Sequence, residues 1–312
     1  MASPAGAQYV FFEPSGPGVN ISLTPNGSNL AAPQPGSFNI EVFTAAPGSL
    51  AAGYQGSAFA AGADVGSAPG FDPNTDVFGP TSLQLLAGNY AVVDISGGNI
   101  ISLGSGNQSV IGAVGDTITG GSGAGFIDAT AGSIAVQIGS SGGSDNIFSG
   151  HFDTIRGGAD AATILGSASD TIDLTGSTGT ALINAMAGHE FVALGSGTAT
   201  VMGAIGDTIV AGSGAAGIDG TLGNMTIVVG SSGGSDTILS GTGDTVLGGA
   251  AAATIIGGAR DTINLAGGTG TANVNAAAGN ELVMLGSGAA TVRAHGRDRD
   301  MSGMRGATRR KD

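Results

Sequence analysis

One passage of this chain is written twice, 91 residues apart. Val110-Ile-Gly-Ala-Val-Gly-Asp-Thr-Ile118 returns as Val201-Met-Gly-Ala-Ile-Gly-Asp-Thr-Ile209, and Gly139-Ser-Ser-Gly-Gly-Ser-Asp145 returns as Gly230 to Asp236. Residues 164–197 match 255–288 at 22 of 34 positions, which excludes coincidence. Ser102-Leu-Gly-Ser-Gly106, Leu194-Gly-Ser-Gly197 and Leu285-Gly-Ser-Gly288 mark the ends of successive units. A duplication of this kind points to an architecture in which each unit buries its apolar surface by stacking on the next.

A finer rhythm runs inside the unit. In the second copy Ala199-Thr-Val-Met, Asp207-Thr-Ile-Val, Met225-Thr-Ile-Val-Val, Asp236-Thr-Ile-Leu, Asp244-Thr-Val-Leu, Ala253-Thr-Ile-Ile, Asp261-Thr-Ile-Asn-Leu and Glu281-Leu-Val-Met-Leu are short β-branched runs. Gly/Ser/Ala turns separate them. With about nine residues per strand and turn, two strands per coil give coils of about 18 residues, five to the unit. Three coils of about 30, as in a three-sided β-helix, divide 91 equally well. The runs are too short and too glycine-bounded for helices. The expectation is an all-β chain: a parallel β-solenoid (β-roll or β-helix) with a Pro-rich N-terminal β or cap segment.

Composition fits that architecture and excludes others. The chain holds 61 glycines in 312 residues, with 4% aromatic and 10% charged residues and no tryptophan or cysteine, against about 7% glycine and 25% charge in ordinary domains. A narrow solenoid interior takes Val, Ile, Leu and Ala, and its coils stack at roughly 4.8 Å, satisfying backbone groups without a thick core. Disorder is excluded by 41% apolar residues, and collagen by the lack of a three-residue glycine period. Without cysteine there are no disulfides, thiolate metal sites or cysteine nucleophile. No apolar run reaches the roughly 18 residues of a membrane span. Met1-Ala-Ser-Pro-Ala-Gly has neither the basic nor the apolar region of a signal peptide.

All ten prolines and ten of fourteen aromatics lie within the first 90 residues, which sets a boundary near Ser82 to Leu86. The expected organisation is a Pro/aromatic N-terminal segment over 1–82, a β-solenoid over 83–292 and a basic tail over 293–312. Tyr9-Val-Phe-Phe12 and Phe38-Asn-Ile-Glu-Val-Phe43 are candidate strands of the first segment. Residues 1–292 hold twenty acids against Arg156 and Arg260, a net −18. The tail, with Arg293, Arg297, Arg299, Arg305, Arg309, Arg310 and Lys311 against three aspartates, is +4. An acidic body suits cations and repels nucleic acid.

One acid recurs with the strands: Asp116, Asp145, Asp153, Asp170, Asp207, Asp236, Asp244 and Asp261. Asp153 to Asp170 and Asp244 to Asp261 are one coil apart at 17 residues, which would place each pair in neighbouring layers on one face. Asp145 to Asp153 and Asp236 to Asp244 are eight apart, half a coil, and fall on opposite faces. Carboxylates about 5 Å apart repel by roughly 1 kcal/mol even in water. Two readings compensate for this. Either a hard cation is bound by carboxylates and turn carbonyls, or each aspartate caps a turn amide and solvent screens the repulsion.

Gly142-Gly-Ser-Asp145-Asn-Ile147, Gly233-Gly-Ser-Asp236-Thr-Ile238 and Gly241-Thr-Gly-Asp244-Thr-Val246 resemble the nonapeptide of the RTX family, the hemolysin-type calcium-binding repeats. The resemblance covers about two thirds of the chain. It implies a parallel β-roll with calcium in its turns, the eight aspartates as ligands, and export of a bacterial protein by a one-step route that reads a C-terminal signal. The chain departs from the pattern where Asp directly follows glycine, as in Gly115-Asp116, Gly206-Asp207 and Gly243-Asp244. It departs again where turns such as Ala187-Gly-His-Glu190 and Thr198-Ala-Thr200 lack aspartate, and in its arginine-rich end.

Catalytic signals are sparse. His151 aligns with Thr242 and His189 with Asn280, so neither recurs, and His295 lies in the tail. Gly212-Ser-Gly214-Ala-Ala-Gly217 meets the dinucleotide pattern, but no helix follows and Phe126 replaces the last glycine in the first copy. The only lysine is Lys311, which excludes a Walker loop. Thr117, Thr154, Thr171, Thr208, Thr237, Thr245 and Thr262 each follow an aspartate and would stack as a hydroxyl ladder, the kind of surface ice-binding solenoids use. The expected function is a non-enzymatic, extracellular or cell-surface structural and adhesive repeat protein with calcium-coupled folding. Its partners would be calcium ions, cell-surface polysaccharide or further copies joined at coil ends. The alternatives are a carbohydrate-processing β-helix or accessory module of a secreted enzyme, and a self-assembling surface-layer or ice-binding solenoid.

Overall fold

The computed structural model describes residues 97–140 and 142–294 continuously. Outside them it describes the strands Val19–Ile21, Ser57–Phe59, Ala63–Val65, Thr75–Val77, Ser82–Gln84, Tyr90–Asp94, Arg299–Ser302 and Thr308–Arg310. Every regular element among the described residues is a strand, and every pairing between them is parallel. The chain forms two compact units, Met1–Asp153 and Thr154–Asp312. Each winds as a parallel β-solenoid with two strands per coil.

In the second unit one sheet holds the short strands Thr154–Arg156, Thr171–Asp173, Phe191–Ala193, Thr208–Val210, Thr226–Val228, Thr245–Leu247, Thr262–Asn264, Leu282–Met284 and Arg299–Ser302. The other holds the longer strands Ala161–Leu165, Ala181–Ala185, Ala199–Gly203, Ala216–Gly220, Ser235–Ser240, Ala252–Ile256, Ala272–Ala276, Ala290–Ala294 and Thr308–Arg310. The first unit repeats the scheme, with Ile100–Ser102, Thr117–Thr119 and Ala135–Gln137 in its short sheet and Tyr90–Asp94, Asn107–Ile111, Ala124–Ala129 and Ser144–Ser149 in its long one. From Thr75 onward, register partners are 17 to 20 residues apart, as in Thr154↔Thr171, Thr208↔Thr226 and Thr171↔Phe191. Of the two divisions of 91 residues, two strands per coil is the one adopted.

The core follows from the period of two along a strand. The central residue of each short strand points inward: Ile101, Ile118, Val136, Ile155, Ile172, Val192, Ile209, Ile227, Val246, Ile263 and Val283 are all buried. Facing them in the long strands are Val110, Ile127, Ile147, Ile164, Ile183, Val201, Ile218, Ile238, Ile255 and Val274. Branched side chains stack in register, and burying each contributes about 1.5–3 kcal/mol. The space between the sheets takes one such layer. A ring has no room inside, and the aromatics Phe126, Phe148, Phe152 and Phe191 all lie outside.

Pairing extends beyond both expected boundaries of the solenoid. Upstream of residue 83, Ser57–Phe59 pairs with Thr75–Val77 and Ala63–Val65 with Ser82–Gln84. Downstream of 292, Arg299–Ser302 pairs with Leu282–Met284 through a shifted register, and Thr308–Arg310 continues the long sheet from Ala290–Ala294. The candidate strands 9–12 and 38–43, and His295 and Lys311, lie outside the described residues.

Candidate functional site

The feature common to the coils described continuously is the corner that leads from a long strand into a short one. Its penultimate residue takes the left-handed backbone conformation: Gly98, Gly115, Ser133 and Phe152 in the first unit, then Ser169, His189, Gly206, Asn224, Gly243, Arg260 and Asn280 in the second, with φ between 55° and 87°. That turn swings the next side chain into the interior. The residues so placed are Asn99, Asp116, Ile134 and Asp153, then Asp170, Glu190, Asp207, Met225, Asp244, Asp261 and Glu281, all buried. His189 is therefore a corner residue, at a position where histidine and asparagine are among the better-tolerated non-glycine types, and Asn280 does the same work 91 residues later.

Asp116, Asp153, Asp207, Asp244 and Asp261 each accept two backbone hydrogen bonds, and Asp170 accepts the first of the two kinds. One oxygen receives the N–H three residues earlier in its own turn. Ala113 donates to Asp116 at 2.8 Å, Gly150 to Asp153 at 2.8 Å, Ser167 to Asp170 at 2.8 Å, Ala204 to Asp207 at 2.8 Å, Gly241 to Asp244 at 2.7 Å and Gly258 to Asp261 at 2.7 Å. The other oxygen reaches one coil back, to the N–H of the preceding corner residue. Asn99 donates to Asp116 at 2.9 Å, Ile134 to Asp153 at 2.7 Å, Glu190 to Asp207 at 2.8 Å, Met225 to Asp244 at 2.8 Å and Asp244 to Asp261 at 2.9 Å. Each of these five carboxylates thus closes its own corner and ties it to the neighbouring coil.

Asp145 and Asp236 do a different job. They sit near the start of the long strands Ser144–Ser149 and Ser235–Ser240 and accept from Gly139 and Gly230 at 2.9 Å, closing the opposite edge of the coil. The small residues beside them make room: a Cβ on Gly125 would lie 2.3 Å from the Asp145 carboxylate. The pairs Asp145/Asp153 and Asp236/Asp244 are therefore on opposite edges, while Asp244 and Asp261 are stacked in adjacent coils. In every case the carboxylate points in.

Burial raises the pKa of Asp116, Glu190, Asp207, Asp236 and Asp244. The Asp116 carboxyl is pushed up to about 7, first by desolvation and then by the Asp94 carboxyl beside it, against the lowering effect of the Asn99 and Ala113 amides. Glu190 is pushed up to about 8 by desolvation and by the charges of Asp207 and Asp170 in the adjoining coils. The group is only 2% exposed, and the nearby Gly188 amide offsets the rise only in part. Asp207, Asp236 and Asp244 are raised by burial and partly restored by their two amide donors. Asp173, on the outside, is lowered by the hydroxyl and amide of Thr175.

Reading the repeat by its Asp-Thr step overlooks Asn99, Glu190 and Glu281, which occupy the same corner without that step. The duplication carries the signal, since the three positions are 91 residues apart. The step also misplaces the hydroxyl ladder. Thr237 lies in the other sheet, paired with Gly217 and Thr254. The true column is Thr208, Thr226, Thr245 and Thr262, with Thr226 following a methionine.

The donor set does not suit calcium. That ion takes about six to eight oxygen ligands, whereas these carboxylate oxygens face N–H groups, whose positive ends would repel a cation. Among the described residues no three histidine or acid side chains converge into a metal-holding group. Nor does the acidic composition make an acidic surface over the described residues. Of the fifteen acids from Asp94 to Glu281, twelve are buried and Asp128, Asp173 and Asp219 are half-buried, while the exposed charges among the described residues are Arg156, Arg260 and Arg293. Among the described residues no helix is long and apolar enough to cross a membrane. No family model, curated protein or solved structure matches the chain.

Proposed function

We propose that the chain is a non-enzymatic structural and adhesive repeat protein of the cell exterior or cell surface, whose coils fold without metal. The observation that carries the reading is the orientation of the corner aspartates: each is turned inward onto backbone amides, leaving few charges on the outer surface of the described residues. The RTX resemblance supports the extracellular or cell-surface setting through its period and its Asp-x-apolar step. The residues that would be ligands in that family act here as turn caps.

The test is a thermal melt followed by circular dichroism, in excess EDTA and across a calcium titration. Matching β spectra and melting curves are expected. A coil-to-β transition driven by millimolar calcium would overturn the metal-free reading and make the aspartates ligands. A second reading has an observation of its own: Thr208, Thr226, Thr245 and Thr262 stand in register on four successive coils of one sheet. Such an ordered hydroxyl column is suited to ice, and thermal hysteresis of the purified chain would show it.

A further inference from the structure

Within the second unit the duplication acts as an internal control on what the fold requires. Ile183 and Val201, buried in the long strands, return 91 residues later as the buried Val274 and Val292. Their outward neighbours do not return. Leu182, 46% exposed, becomes Asn273, and Met202 becomes Arg293. The outward Thr163, Thr200 and Asn184 are kept as Thr254, Thr291 and Asn275. Two apolar positions on one face have thus become a carboxamide and a guanidinium where the fold accepts either.

That face is concave. A groove of about 570 Å³ is lined by Thr254, Ile256, Asn273, Asn275, Thr291 and Arg293, and it continues past Thr237 into a further 430 Å³ or so. Register puts Thr254, Asn273, Thr291 and Thr308 on successive strands of one row, and Ile256, Asn275, Arg293 and Arg310 on the next. Hydroxyls and carboxamides therefore repeat at the strand spacing of roughly 4.8 Å, beside the exposed Arg293. Asp236, at the groove's far end, is turned inward onto the amides of Gly230 and Ala216, so it does not offset the positive charge.

We infer that this groove binds a linear acidic polysaccharide, lying along the coil stack with about one sugar per coil. Thr254, Asn273 and Thr291 hydrogen-bond its hydroxyls, and Arg293 takes a carboxylate in the two-pronged manner open to a guanidinium. A nucleic-acid strand fits less well, because the groove has no aromatic ring on which bases could stack. The inference rests on the adhesive reading above and names its partner.

The test is affinity electrophoresis of the full chain through gels containing polygalacturonate, its methyl ester, a neutral glucan or single-stranded DNA. Two variants, Arg293→Met and Asn273→Leu, carry the residues that the same positions hold one repeat earlier, and circular dichroism checks their fold. Retardation by polygalacturonate and not by its ester is expected, with binding about tenfold weaker in Arg293→Met, the loss of one charge-assisted contact. A smaller loss is expected in Asn273→Leu. Equal retardation of both variants and the parent, equal retardation by the ester, or tighter binding to DNA overturns the inference. Retardation by the neutral glucan alone overturns it and leaves the adhesive reading standing; retardation by none of the four overturns both.

Discussion

Two kinds of corner share one backbone in this solenoid. At Asp153 and Asp244 the inward residue is a carboxylate that accepts two amide hydrogen bonds, while one coil earlier, at Ile134 and Met225, it is an apolar side chain of similar reach. Both kinds follow a left-handed residue, Phe152 and Gly243 in one case, Ser133 and Asn224 in the other. The corner is therefore not made by the carboxylate. An apolar plug fills space, and Gly203 stays side-chain-free where a Cβ would lie 2.2 Å from the Met225 methyl. A carboxylate also joins its coil to the previous one, since its far oxygen takes the amide of the apolar corner. The apolar and the acidic corners are thus coupled as donor and acceptor.

The largest effect expected from breaking this coupling is at Asp244. Asp244→Ala leaves the amides of Met225 and Gly241 buried without an acceptor, at about 1–3 kcal/mol each. A loss of about 4 kcal/mol in urea unfolding is expected. Asp244→Asn keeps one acceptor oxygen and is expected to lose about half as much. If Asp244→Ala unfolds at the urea concentration of the parent, the amides are not held by this carboxylate and the comparison fails. Met225→Ala tests the other kind of corner: it opens a cavity with no polar consequence, at about 2–5 kcal/mol, and its cost should not change with pH.

The acid corners, by contrast, should make stability depend on pH, and the sign is opposite to that of most carboxylates. Asp116 and Glu190 have folded values of about 7 and about 8 against ordinary values of 3.8 and 4.5. Between the ordinary and the raised value the folded chain holds more protons than the unfolded one. Stability then falls as pH rises. The contribution is full below about pH 4 and is lost as pH climbs through 7 and 8, at about 1.4 kcal/mol for each unit of raised value. Asp207, Asp236 and Asp244 add in the same direction. Melting temperature is expected to be highest near pH 4 and to decline to pH 8. Glu190→Gln, which removes the proton requirement at the most crowded point of the stack, should flatten that decline. A melting temperature that rises from pH 4 to pH 8 would refute the assignment.

How far this was legible in the sequence differs between the two faces of a strand. The inward pattern is dictated by packing, so Ile and Val at every second position, the 91-residue duplication and the parallel stacking could all be read directly. Coil length could be narrowed to two values only, because glycine turns of variable length blur the period: the five coils from Glu190 to Glu281 advance by 17, 18, 19, 17 and 20 residues. The direction in which the aspartates point was open, since a carboxylate that caps an amide and one that holds a cation occupy the same turn position. At the corners it is settled by the left-handed residue before the aspartate, and at seven of the eleven described corners that residue is not glycine, so no sequence signal announced it. The groove on the long strands was invisible for a different reason. It depends on which outward residues become neighbours across coils, as Asn273 and Thr291 do, and those are 18 residues apart.

The smallest effect concerns that left-handed residue itself. Phe152 and Gly243 occupy equivalent corners, 91 residues apart, with φ of 64° and 78°. A side chain in this conformation brings its Cβ close to the following carbonyl, at about 1–2 kcal/mol, and glycine escapes the contact. Phe152 is also 67% exposed, so little burial compensates. Phe152→Gly should therefore stabilise the first unit. The gain is expected to be about 0.5–1 kcal/mol, because glycine also gives the unfolded chain more freedom to lose. The reverse change, Gly243→Ala, should cost a similar amount, read as opposite shifts in urea midpoint. If Phe152→Gly is instead destabilising, the ring contributes a contact at the corner, and the neighbouring His151, with its ring centroid 6.3 Å away, is where that contact would be made. A double substitution, Phe152→Gly with His151→Thr, copies the second repeat's Thr242-Gly243. It separates the two cases: additivity would mean that the rings do not interact, and a shortfall would measure their contact.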